Sequence, residues 1–221
     1  MPPANGLVQN EEMNRRLLLS GLSGLAIVLA GCSTPPATKS STVAKKEQAP
    51  PEPLTGRAAF YKMFPSARSW AADAIPLRLI SIAVGGIKPS GGKAGAWQAI
   101  FVSPGTSRSR VYSYSVVEAE GNLHQGVFAE SPETYSGPTG EATPFPVSAI
   151  KYDSDQAYEE AVKHVAAYVA KHPDKPVNCV LELSNRFPDA AWQLSWGGSS
   201  TASPTTVFTD ASTGKFLRKS Q

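Results

Sequence analysis

From Arg57 onward the apolar residues recur at two periods, and each period predicts a kind of element. Ala157, Ala161, Val162, Val165, Tyr168 and Val169 fall on one stripe at helical spacing, so residues 154–171 are expected to form an amphipathic helix. Asp153 can cap that helix, and Gln156 can return a bond to the cap's own amide. Lys171 and His172 stand where the helix dipole favours positive charge, and Pro173 ends the run. An earlier stretch, Arg57 to Ala74, puts Ala59, Met63, Ala67, Trp70, Ala71 and Ala74 on one face. Pro65 interrupts it and predicts a kink or two pieces. Elsewhere the period is two. Val177, Cys179, Leu181 and Leu183 point one way, and Trp192, Leu194 and Trp196 do the same, as in half-buried strands.

The order of elements recurs. The helix of 57–74 is followed by Pro76 to Ile82, then Ala96 to Val102, then Val111 to Val117 and a turn at Gly121. The helix of 154–171 is followed by Pro176 to Leu183, then Ala191 to Trp196, then Thr206 to Asp210 and a turn at Gly214. A Pro before the first strand and an Ala-Trp-Gln triplet (96–98, 191–193) occur in both. The expected fold class is α+β: two repeated units, each a helix packed on a three-stranded antiparallel sheet. The first spans 57–129 and the second 149–221, with the Ser-, Pro-, Thr- and Gly-rich segment 130–148 between them. Units this small are marginal alone. Packing two sheets together, or joining them into one continuous sheet, would solve that.

The close of the second unit, Val207-Phe208-Thr209-Asp210-Ala211-Ser212-Thr213-Gly214-Lys215-Phe216-Leu217, resembles the PepSY and PepSY-like family. The likeness covers 150–220 well and 57–128 less well, since Gly121 lacks the Asp-Ala-x-Thr context. The family comprises small α+β modules in propeptides of secreted metallopeptidases and in envelope proteins. The resemblance implies a binding module. The motif is largely a turn, with Gly214 supplying a positive φ, and carries no chemistry across.

The N-terminus changes the picture. Met13-Asn14-Arg15-Arg16 is a short positive segment, and Leu17 to Ala30 is apolar but too short to span a membrane. The pair fits a signal peptide over 1–31, with Met1 or Met13 as its start and a general or twin-arginine export route. Leu29-Ala30-Gly31-Cys32 resembles the lipobox of bacterial lipoproteins, which implies a diacylglycerol and an acyl chain such as palmitate on Cys32. Two or more chains make anchoring stable. Ser33 follows, and the family tendency then favours the outer membrane where the host has two. Residues 33–56 are dominated by Pro, Ser, Thr, Ala and Lys and are expected to form a disordered, extended tether.

Charge narrows the partners. From Arg57 on there are 16 Lys and Arg against 14 Asp and Glu, so the domain is near neutral. No basic run points to nucleic acid. Candidate chemistry is sparse. Acylation of Cys32 leaves Cys179 without an intrachain disulfide partner, and its apolar strand face makes it a core residue. His124, His164 and His172 lack metal-ligand spacing, so no metal or cofactor is implied. The loop Gly85-Gly86-Ile87-Lys88-Pro89-Ser90-Gly91-Gly92-Lys93 fails the spacing of a phosphate loop. Glu118/Glu120 and Glu159/Glu160 read as solvated, and no Ser lies in a nucleophile elbow. No catalytic set remains. Trp97, Tyr112, Tyr114, Trp192 and Trp196 read mainly as core, and they are also the candidates for an exposed patch that meets a partner or ligand.

The expectation is therefore a non-enzymatic lipoprotein of the cell envelope, held at the membrane through Cys32. It would bind an envelope protein, a peptide or a small ligand. Two alternatives stand beside it: a secreted-peptidase inhibitor or folding modulator, and a structural or self-assembling envelope protein.

Overall fold

The computed structural model describes residues 51–138, 142–197 and 205–220. The expected signal peptide, Cys32 and the tether up to residue 50 lie outside the described residues. Along the chain come β1 (Leu54–Thr55), α1 (Gly56–Trp70), β2 (Ile75–Ile82), β3 (Lys93–Ala94), β4 (Ala96–Ser103), β5 (Arg108–Ser115) and β6 (Gly126–Ala129). Then follow β7 (Glu133–Thr134), β8 (Ala142–Thr143), a 3-10 turn (Val147–Ala149) and α2 (Ser154–Lys171). The chain closes with β9 (Val177–Ser184), β10 (Ala191–Trp196), β11 (Thr205–Asp210) and β12 (Phe216–Ser220).

One antiparallel sheet runs β12-β11-β10-β9-β2-β4-β5-β6, with β7 added to β5 and β8 to β9. The class is α+β with a large sheet and two helices. Each helix is followed by a four-stranded run rather than three. The extra strands, β6 and β12, follow the turns at Gly121 and Gly214 and lie within the bounds expected for the two units. In β12 the exposed Arg218 and Lys219 hide the strand from a hydrophobicity pattern while suiting a sheet edge.

The helices share one face of the sheet. Ala59, Phe60, Met63 and Ala67 of α1 and Ala157, Ala161 and Val165 of α2 enter a single buried cluster with Leu79, Trp97, Ala99, Phe101, Cys179, Leu181, Trp192 and Leu194. Strand alternation sends the intervening residues to the other face. One row crosses all eight strands there: Phe128, Ser113, Gln98, Ile80, Val180, Gln193, Phe208 and Arg218. On that face Arg78 Nε donates to Glu182 Oε2 at 2.7 Å, which joins β2 to β9.

Helix ends follow their sequence signals, but the kink does not. Asp153 and Gln156 form the capping box of α2. Helix α1 runs unbroken through Pro65, which sits on its exposed side, where the carbonyl it leaves unmet faces water. The irregularity is in α2 instead, at Val165, whose φ of −133° and ψ of 21° are not helical. Nothing in its sequence signals this; α2 bends where Val165 packs into the core.

Candidate functional site

Four of the five aromatic candidates are core. Trp97, Trp192, Trp196 and Tyr112 are each 1 % exposed or less. The rings of Trp97 and Trp192 meet edge-on at 6.2 Å beneath the two helix N-termini. Each indole N–H donates to the carbonyl just before its helix's cap: Trp97 to Leu54 O at 3.0 Å, Trp192 to Tyr152 O at 2.9 Å. Those bonds tie each helix start to the second strand behind it. The Tyr112 hydroxyl donates to Ser66 O, and burial pushes its pKa up. Tyr114 differs. It is half-buried, with Lys62 Nζ 5.3 Å from its ring, and lines an open cleft of about 740 Å³ with Lys62, Gln125 and Leu54. The structure thus does not gather the five rings into one surface.

The remaining candidates fall apart in space as well. Cys179 is 2 % exposed, and burial pushes its thiol up to about 12, where no thiolate forms at neutral pH. His124 pairs with Glu118 at 2.7 Å, while His164 stacks on Phe216 at 3.7 Å. His172 lies against Tyr168. No group of three or more metal-ligating side chains occurs among the described residues.

The Asp-Ala-Ser-Thr-Gly segment is an anchor for α2. Asp210 Oδ1 accepts from Ser212 N (2.7 Å), Ser212 Oγ (2.7 Å) and Thr213 N (2.8 Å). Burial would raise the Asp210 pKa, but these bonds from Ser212 and Thr213 prevail and hold it low. Ala211 O accepts from both Lys151 and Tyr152, the residues leading into the Asp153 cap. Gly214, at φ +72°, leaves room for the Tyr152 ring.

A site that the sequence did not disclose lies at the centre of the sheet. Strands β2 and β9 pair only over Arg78–Ile80 and Val180–Glu182. Beyond Ile80 they part. At the parting point the Ser81 hydroxyl accepts from Cys179 N (2.8 Å) and donates to Asn178 Oδ1 (2.9 Å). A cleft of about 370 Å³ opens there. Ile82, Ala83, Pro89, Ala94, Pro176 and Val177 make its walls apolar, and Ser81 and Asn178 are its polar points. Such a cavity is of small-molecule size. Asn178 is not a base, so the pair can orient a ligand but does not activate the Ser81 hydroxyl. Ser81 and Asn178 are 97 positions apart, and no local pattern links them. The recurring Pro76 and Pro176 were the one available hint that these strands correspond.

No family model matches the chain, and no curated protein matches it. Among solved structures, the chain is similar to a "putative lipoprotein" from Clostridium difficile 630, with 12% identity over 79% of this chain and 95% of that one, at a TM-score of 0.48.

Proposed function

We propose that this protein is a lipoprotein of the cell envelope, acylated on Cys32, whose folded part is a non-enzymatic binding module. The observation that carries the reading is Leu29-Ala30-Gly31-Cys32 at the end of a short apolar run, ahead of a Pro-, Ser- and Lys-rich stretch. No helix among the described residues is long and apolar enough to cross a membrane. In this reading the lipid holds the chain, the segment 33–53 spaces it, and the cleft between β2 and β9 meets the ligand. Leu54–Thr55 and Gly56 already belong to β1 and α1 rather than to the tether expected over 33–56. Outer-membrane placement, facing the periplasm, follows Ser33 where the host has two membranes.

The halves of the sheet are read as repeats of one PepSY-like unit. Support comes from the matched Trp97 and Trp192 anchors and from register. In the sheet, Trp97 sits opposite Ser81 and Trp192 opposite Leu181, so β2 and β9 correspond with Ile80 matching Val180. Those two residues also face each other across the junction, as a local two-fold axis requires.

Membrane fractionation with labelled palmitate tests the anchor. The wild-type chain is expected to take up label and pellet with membranes, and Cys32→Ser to do neither. Equal pelleting and labelling of Cys32→Ser would refute the reading.

A further inference from the structure

The glycine–lysine loop between β2 and β3 holds chemistry that the fold does not use up. Its glycine pair has a structural explanation. Ser90 and Lys93 exchange backbone hydrogen bonds at 3.2 and 2.9 Å, and Gly91 and Gly92 between them have φ of +57° and +77°. That is the two-residue hairpin turn that needs positive φ at both central positions. A Cβ on Gly92 would also come within 2.2 Å of Ser154 O.

The lysines have no such explanation. Lys88 and Lys93 of this loop and Lys175 after α2 line a second cleft of about 230 Å³, with Tyr158 on its wall. Lys88 approaches Asp174 at 3.5 Å, but both side chains are largely exposed, so the pair is weak. Lys93 and Lys175 make no ion pair among the described residues. Three lysines thus line one small cleft, and an anion bound there would offset the repulsion among their charges.

The two clefts adjoin. Pro89 and Val177 line both. The stem of Lys175 lies across Gly197, a wall of the first cleft, with Cδ 3.3 Å from where a Gly197 Cβ would stand. A cationic mouth therefore opens onto an apolar trough. An occupant that satisfies both has an apolar body and an anionic end.

We propose that these joined clefts bind a single-chain lipid with an anionic headgroup. The chain lies against Ile82, Ala83 and Val177, and the headgroup sits among Lys88, Lys93 and Lys175. Charge-assisted hydrogen bonds from the ammonium groups fix the head, and removal of the chain from water drives the rest. This names a ligand class for the binding role proposed above and rests on that reading.

The test is photo-crosslinking of the full-length lipidated protein, in zwitterionic detergent, with a diazirine-bearing lysophosphatidate. Crosslinks are expected in the peptides spanning 82–94 and 175–197. Unlabelled lysophosphatidate should displace the probe, while lysophosphatidylcholine and inorganic phosphate should not. Combined Lys88→Glu, Lys93→Glu and Lys175→Glu should cut labelling by about tenfold or more. Ala83→Trp, at an exposed wall position, should do the same by filling the trough. Crosslinks elsewhere, displacement by lysophosphatidylcholine or by phosphate alone, or unchanged labelling in Ala83→Trp would each overturn the proposal. Any of these leaves acylation of Cys32 untouched, so the two readings fail separately.

Discussion

Gly56 opens α1 without a side chain because two indoles fill the space. A Cβ there would stand 2.5 Å from Trp192 Cη2 and 3.1 Å from Trp97 Cη2. Two effects oppose each other in Gly56→Ala. Replacing Gly in a helix gains roughly 0.5–1 kcal/mol, whereas forcing an extra carbon into a packed core costs about 1–3 kcal/mol. The clash is with rigid rings, so the cost wins, and urea unfolding should show a net loss of about 1 kcal/mol or more. A more stable variant would mean that the indoles can move aside. Cys179 gives a second check. Its native thiol should resist an aromatic disulfide reagent at pH 8 and react fully once the protein is unfolded. Fast reaction of the native protein would contradict its burial. The position of Cys179 was legible, since strand alternation puts it among Val177, Leu181 and Leu183. The partners of the two indole N–H groups were not, because each bond reaches back to a residue about 40 positions away.

At the scale of elements, the Asp210 turn links a strand end to the start of α2. Asp210→Ala removes the acceptor of two backbone N–H groups and one hydroxyl, at an expected cost of about 1–2 kcal/mol at neutral pH. The pH dependence has a definite sign. The Asp210 carboxyl is held low in the folded state, so its contribution is complete above the unfolded value near pH 4. It is lost as pH falls through the lower folded value. Wild type and Asp210→Ala should therefore differ at pH 7 and converge only in acid below the ordinary carboxylate range, as pH falls through the lowered folded value. Asp73, Glu118 and Glu160 are also held low by their hydrogen bonds, and they give both proteins the same background slope. A gap that persists unchanged into acid would show that the carboxylate is not what secures the turn. Elements with strong local signals were readable: α2 has a cap, a stripe and a Pro stop. Strand β12 was not, since its pairing with β11 supplies what its Arg218 and Lys219 do not advertise. The kink at Val165 arises from packing and leaves no local mark.

At the scale of the molecule, the sheet is continuous because β2 and β9 meet at its middle, and that meeting creates the candidate site. Pairing across 104 positions, as between Arg78 and Glu182, has no local sequence signature. The sequence therefore leaves two sheets or one open, and it carries no mark of the cleft at Ser81 and Asn178. It did supply Cys32, on which the account of location depends. The most direct measurement is the intact mass and N-terminal peptide of the mature protein isolated from its own envelope. The account predicts an N-terminus at Cys32 carrying the mass of a diacylglycerol and an acyl chain. A mature chain that begins at Met1 or Met13, or one that retains residue 31 beside an unmodified Cys32 thiol, would contradict it.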